Sequence, residues 1–325
     1  MSEYEVLLEP LLQELDIDYE GLHVVAIGGG HGLAQALMAL QDYADVITAV
    51  VTVADDGGSS GRLSPALGIP PPGDIRMALL ALSPDDTLWR DLVAHRFDAS
   101  GDIDGHSLGN LIIAALAEQL GDFDAGVSRL GELLRARGEV VPVASVPLEL
   151  EATIDGATVR GQVAVATTRG RISDLRVTPT DVEASQTAVR AVGAADQIVL
   201  GPGSLYTSIA ANLRVPGLVE AVNDSPGKLV YVCNLATQDA ETLGMDAADH
   251  VEALCAITGV RVPDAVVVHD GPVEGLQAPA EAVAVDVERL IGLGCKVEPA
   301  RLWIDGGSHP HHDPARLGAV LRRLA

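Results

Sequence analysis

Short apolar runs alternate with amphipathic stretches along this chain, and glycine-rich loops separate them. Val6 to Leu15 mixes apolar and acidic positions at helical spacing, predicting a leading helix within residues 1–20. His23 to Ile27 is a short apolar run that reads as a buried strand. It ends in Gly28-Gly29-Gly30-His31-Gly32, and Leu33 to Leu40 then reads as a helix. Strand, glycine turn and helix in that order open a doubly wound α/β fold. Val46 to Val53 is a second strand, leading into Asp55-Asp56-Gly57-Gly58-Ser59-Ser60-Gly61-Arg62. Pro70-Pro71-Pro72-Gly73 breaks the chain before a helix from Asp74 to Leu82, and another helix runs from near Ser107 to Leu120.

From Val140 to Pro179 the rhythm changes. Residues from Val146 to Ile154 alternate with period two, Asp155-Gly156 marks a turn, and Val159–Thr167 and Arg171–Val177 read as extended. An antiparallel β insertion at about 140–180 is expected, within a single domain covering 21–325. The α/β rhythm then returns. Helix Ser185–Val192 and strand Gln197–Leu200 lead to Gly201-Pro202-Gly203-Ser204 and a helix over Tyr206–Asn212. Strand Leu229–Cys233 runs into Asn234, Ala265–His269 is a further strand, and Arg316–Leu324 is a closing helix.

Composition fits a mostly parallel sheet covered by helices. Hydrophobic residues make up 48% but aromatics only 3%, so small aliphatic side chains must fill the core. The net charge of −25 changes the picture more. Such a surface repels nucleic acid and anionic lipid, so neither is an expected partner, and an anionic ligand must be held by local donors. No apolar run approaches the roughly 20 residues that span a bilayer. The acidic start (Glu3, Glu5, Glu9, Glu14) is unlike a secretory signal, and Cys233, Cys255 and Cys295 lack metal-type spacing. A cytoplasmic protein without membrane insertion and with reduced thiols is expected.

The loops carry the candidate chemistry. Gly28, Gly29, Gly30, His31 and Gly32 bring backbone close to a ligand and aim helix N–H groups at phosphate. His31 is open to two roles, helix cap or ligand contact. In the second loop, Gly57, Gly58, Ser59 and Ser60 can form an anion nest, and Arg62 can grip phosphate with its planar fork. Asp55 and Asp56 can hold ribose hydroxyls, or Mg²⁺ bridging to a diphosphate; no other cofactor is indicated. Gly73 and Asp74 start a helix, with Asp74 a candidate N-cap, and Arg76 opposes the dipole there unless an anion is present. Ser107 is a candidate cap, and Asn110 either reads a ligand or ties loops together. Gly201, Gly203 and Ser204 form a second loop of anion-binding type, with Asn234 on the far wall. His309, His311, His312 and Asp313 read as turn or surface residues more than as a metal site. No catalytic residue is assigned. Ser59, Ser60 and Ser204 suit nests, and His31 and His106 have no assignable partner.

These motifs resemble the YvcK-type gluconeogenesis factor family, within the superfamily of CofD, the 2-phospho-L-lactate transferase. The resemblance rests on GGGHG at 28–32, VTVADDGGSSGRL at 51–63, PPGDIR at 71–76, GHSLGN at 105–110, GPGSLYTS at 201–208, CNLATQ at 233–238 and HDP at 312–314. It covers nearly the whole chain from about residue 22, and the closing HDPARLGAVL is similar to actinobacterial members. It implies a Rossmann-like core with an inserted subdomain. It further implies a cytoplasmic protein that binds UDP-sugars such as UDP-N-acetylglucosamine, linked to cell shape and wall synthesis during gluconeogenic growth. No reaction attaches to that branch. A homodimer is also implied, without support from any pattern here. His31 stands where many relatives carry Thr, and Asp239-Ala240 where relatives often carry Pro-Gly.

Three functions compete on these grounds. A UDP-sugar-binding regulator without turnover ranks first. A CofD-like, Mg²⁺-dependent transferase using a nucleotide diphosphate donor ranks second, because the chain has few aromatics to stack on a flat acceptor. An NAD-linked oxidoreductase ranks last, since it leaves Ser59 to Arg62 and Arg76 unexplained.

Overall fold

The computed structural model describes residues 21–85, 87–304 and 311–325. The leading helix expected at Val6–Leu15 lies outside them. Among the described residues, ten strands form two sheets. The larger has the order β10-β9-β8-β7-β1-β2-β3, and every neighbouring pair in it is parallel. Its strands are β1 (His23–Gly28), β2 (Val46–Val51), β3 (Glu139–Pro142), β7 (Gln197–Leu200), β8 (Lys228–Val232), β9 (Ala265–His269) and β10 (Lys296–Ala300). All six positions of β1 are buried, as a central strand covered on both faces requires.

The topology locates the site. From β1 the chain winds outward through β2 to β3, then crosses back so that β7 pairs with the other side of β1. The carboxyl ends of β1 and β7 therefore flank a switch point, where loops diverge and open sheets of this kind leave a crevice. This is the Rossmann strand order with one further strand, β10. The sequence reading did not include β10; its burial is only partial, so it lacks a continuous apolar signature.

The expected insertion is a separate antiparallel sheet of order β5-β4-β6, from β4 (Glu149–Ile154), β5 (Ala157–Arg160) and β6 (Ile172–Thr178). Two local expectations change. Glu139–Pro142 belongs to the main sheet, pairing with β2. Val159–Thr167 is not extended throughout: Gly161, at φ +92°, ends the strand, and Gln162–Thr167 is helical. Asp56 Oδ1 accepts from the Val163 N–H at 2.9 Å and anchors that short helix to the second loop.

The second loop is itself half helix. Gly58–Leu67 is helical despite two glycines and Pro65, so its composition hid it. The helices Leu88–Ala94 and Phe123–Leu134 were also not read from the sequence. The expected helix after Gly203 begins as a π-type turn over Leu205–Ala210 before Ala211–Leu213. Among the described residues, no helix is long and apolar enough to cross a membrane.

Candidate functional site

Four glycine- or asparagine-bearing loops leave the carboxyl ends of β1, β2, β7 and β8, so all lie along one edge of the sheet. They enclose two adjoining cavities. The larger, about 650 Å³, is lined by His31, Gln35, Asn234 and Gln238 on one side and by Leu276, His311 and His312 on the other. The smaller, about 300 Å³, is lined by Gly29, Gly30, Thr52, Asp55, Asp74, Gln162, Ser204, Thr207 and Ser208. His31, Gly32, Gly203 and Gln238 line both and form the neck between them.

The neck is tight because two backbones meet there. A Cβ on Gly32 would stand 2.2 Å from the Pro202 carbonyl oxygen. The helix Gly30–Leu40 starts at this point. Gly29, its N-cap, supplies no side-chain cap, and its first turn holds no acidic residue. Its early N–H groups therefore lack a side-chain partner of their own apart from Gly30, which donates to Asp74.

The other glycine loop differs from expectation. Its helix start is already taken by Glu241, which is 7% exposed. The Tyr206 and Thr207 N–H groups donate to Glu241 Oε2 at 3.1 and 3.5 Å, and the Thr207 hydroxyl donates to Oε1 at 2.8 Å. Burial raises the Glu241 pKa, against these hydrogen bonds. Asn234 does not face the ligand space as a free amide. Its Oδ1 accepts from the Gly203 N–H at 3.0 Å, and its Nδ2 donates to the Gly203 carbonyl at 2.8 Å. An internal carboxylate thus occupies the seat that the sequence assigned to phosphate.

The second loop divides. Asp55 faces the smaller cavity, with Oδ1 accepting from the Gly57 N–H at 3.0 Å. Asp56 turns away to the helix at Gln162, so the expected Asp55–Asp56 metal pair does not form. Asp74, from the next helix, joins Asp55 instead. It is not the N-cap; that position is Pro72. Among the described residues, no group of three or more His, Cys, Asp or Glu side chains is placed to hold a metal ion. His309 lies outside the described residues, and His312 is buried, hydrogen-bonded to the Cys233 carbonyl.

Ser59, Ser60, Arg62, Gly73, Arg76 and Asn110 line neither cavity. Ser60 Oγ accepts from the Gly73 N–H at 3.0 Å. Arg62 donates to the carbonyls of Asp102 and Asp104, at 3.2 and 2.7 Å. Arg76 is buried and its Nε donates to Asn110 Oδ1 at 3.0 Å, while Asn110 Nδ2 donates to Ser59 Oγ at 3.1 Å. Asn110 therefore ties loops together, and the arginines brace the second loop from behind. Ser107 sits at its N-cap position without a side-chain cap. Ser59 and His106 do pair, at 3.0 Å, a contact that spacing could not reveal. Ser59 is buried and lines neither cavity.

Thr52, Gln162, Thr207, Ser208, Gln238 and Glu241 were missed as site residues. Thr207, Ser208 and Gln238 sat in motifs already noticed; Gln162 and Glu241 had no sequence signal, because only the folded chain brings them in.

Asp74 has the most perturbed carboxyl here. Burial, with the neighbouring Asp55 charge, raises its pKa to about 7, while the Gly30 N–H and Arg76 oppose the rise. The folded state then holds this proton more tightly than the unfolded chain, whose carboxyl titrates near about 4. The stabilising contribution is present at low pH and is lost as pH rises from about 4 to 7. Asp74→Asn is expected to raise stability at pH 8 by up to about 4 kcal/mol, several degrees in melting temperature, and to leave it nearly unchanged at pH 4. Thermal melts of both proteins at the two pH values check this; equal melting at pH 8 would contradict it.

Residues 24–303 match the CofD family, described as 2-phospho-L-lactate transferase CofD. The chain is 42% identical over 279 residues to the gluconeogenesis factor of Halalkalibacterium halodurans, covering 84% of this chain and 87% of that one. It is 41% identical over 305 residues to the gluconeogenesis factor of Bacillus subtilis, covering 92% and 96%. Its fold is similar to the crystal structure of a UPF0052 family member from Bacillus halodurans, with TM-score 0.88 and 39% identity over 92% of this chain and 99% of that chain.

Proposed function

This chain belongs to the CofD family, alongside relatives named gluconeogenesis factor, and on that premise we propose that it binds a UDP-sugar such as UDP-N-acetylglucosamine without consuming it. The observation that carries the reading is the pair of cavities joined at one uncapped helix start. The neck, at His31 and Gly32, suits a diphosphate held by backbone N–H groups. The larger cavity has the size for a nucleoside, and the smaller for a sugar. A role as a cytoplasmic regulator of cell shape and wall synthesis, as a homodimer, belongs to the same reading.

The pairing of Asp55 with Asp74 favours a second reading, a CofD-like transferase. Mg²⁺ takes one or two protein carboxylates and completes its shell with water and phosphate oxygens. Asp55 and Asp74 fit that demand, and would hold the ion; Asp56 would not. When bound, the ion would supply positive charge to a diphosphate. The chain's own part is limited to Asp55 orientation by the Gly57 N–H and to the Gly30 N–H on Asp74.

Calorimetric titration with UDP-N-acetylglucosamine, UDP, NAD⁺ and GDP, each with Mg²⁺ and with chelator, separates the readings. Binding of UDP-N-acetylglucosamine without release of UDP or UMP, followed by chromatography, is expected. Release that scales with protein concentration and vanishes in Asp55→Asn would establish the transferase instead. Preference for NAD⁺ would support neither.

A further inference from the structure

Resting on the nucleotide-sugar reading, we propose that the smaller cavity selects an uncharged, hydroxyl-bearing sugar ring and rejects a sugar that carries a carboxylate, with Asp55 and Asp74 setting that preference. The cavity, at about 300 Å³, is roughly ten times the share of one liquid water, about 30 Å³, which suits a single ring and little more. Its described lining contains two carboxylates and no Lys or Arg. An anionic group placed beside Asp55 and Asp74, away from the neck, would face like charge with no Lys or Arg to pair with, in a partly dehydrated space.

The hydrogen-bond inventory points the same way. An ionised carboxylate is an acceptor only, with about four lone-pair sites, and Asp55 with the ionised form of Asp74 supplies that character here. Asp55 accepts from the Gly57 N–H and Asp74 from the Gly30 N–H, so acceptor capacity remains on both. Gln238, in the neck, donates its Nε2 to Ser204 Oγ at 2.9 Å, while its Oε1 is buried without a hydrogen-bond partner. The Thr207 hydroxyl, which could have donated into the cavity, is spent on Glu241. Thr52, Gln162, Ser204 and Ser208 can each donate or accept, so the fixed bias of the lining comes from its carboxylates, which suit a ligand that brings donors. Sugar hydroxyls and an acetamido N–H do so; a carboxylate or phosphate does not.

Gln162 adds a means of control. It comes from the inserted segment, so its neighbourhood in the cavity depends on Asp56 holding that helix. A charge placed at Gln162 would act on the same cavity as Asp55.

The test is a calorimetric series with UDP, UDP-glucose, UDP-N-acetylglucosamine and UDP-glucuronic acid in chelator, repeated with Mg²⁺. Wild type is expected to bind the two neutral sugars at least tenfold more tightly than UDP-glucuronic acid. Asp55→Asn and Asp74→Asn should each narrow that ratio, and Gln162→Glu should widen it; the ratio within one variant does not depend on the amount of folded protein. UDP-glucuronic acid bound as tightly as UDP-glucose by wild type would overturn the proposal. So would a ratio unmoved in all three variants, or a preference for UDP-glucuronic acid once Mg²⁺ is added. Failure of UDP itself to bind would instead overturn the nucleotide-sugar reading on which this one rests.

Discussion

Gly32→Ala is expected to weaken nucleotide binding more than a hundredfold and to lower the melting temperature. The added Cβ would stand 2.2 Å from the Pro202 oxygen, 2.6 Å from its carbonyl carbon and 2.7 Å from Gly203 Cα. These are backbone atoms of the facing loop, held in place by Asn234, so no flexible side chain can yield. The two loops must separate, and overpacking of this kind costs about 1–3 kcal/mol. Separation also moves the helix start that faces the neck. A hundredfold loss corresponds to about 2.7 kcal/mol. Titration with UDP-N-acetylglucosamine checks the affinity, and a thermal melt checks the fold. Gly193→Ala is the matched control: its Cβ would meet nothing within 4 Å, so binding should be unchanged. Equal affinity in Gly32→Ala would show that phosphates do not use the neck.

Glu241→Ala is expected to destabilise the protein by about 3 kcal/mol, because it strands two N–H groups and a hydroxyl in a buried setting. Glu241→Gln keeps a carbonyl acceptor and should lose about 1 kcal/mol. The alanine variant has a further signature. It opens a helix start that wild type keeps closed with its own carboxylate, so inorganic phosphate should restore part of its stability and do nothing comparable for wild type. Thermal melts over a phosphate series, at constant ionic strength, read this directly. Absence of rescue would mean that the vacated seat does not bind anions.

The parallel core was legible in the sequence for a physical reason. Central strands buried on both faces are continuous apolar runs, and β1, β2, β7, β8 and β9 all show one. β10 is only partly buried and carries Lys296 and Glu298, so the run is broken. The helix Gly58–Leu67 was hidden because its residues carry chemistry that local propensity counts against. The glycine loops of the site were legible too, since each follows a strand. Their assignments were less so. Arg62 and Arg76 have phosphate-gripping chemistry, but the sequence does not say that the carbonyls of Asp102 and Asp104, and Asn110, have already engaged them. Asp74 and Glu241 were opaque for the same reason in reverse. Asp74 becomes a site residue by meeting Asp55, and Glu241 by reaching Tyr206 across 35 residues.

The double hydrogen bond between Asn234 and Gly203 has a thermodynamic meaning for any ligand of this cleft. A side-chain amide there does what a neighbouring strand would do, fixing both backbone groups of one loop residue. With Glu241 holding the next turn, that wall is rigid before anything binds. A ligand therefore meets a finished surface and does not have to organise it, so little of its contact energy is spent on ordering the chain. Association should proceed as docking to a fixed shape, with the heat-capacity change set by the apolar area covered and no added contribution from folding of the loop.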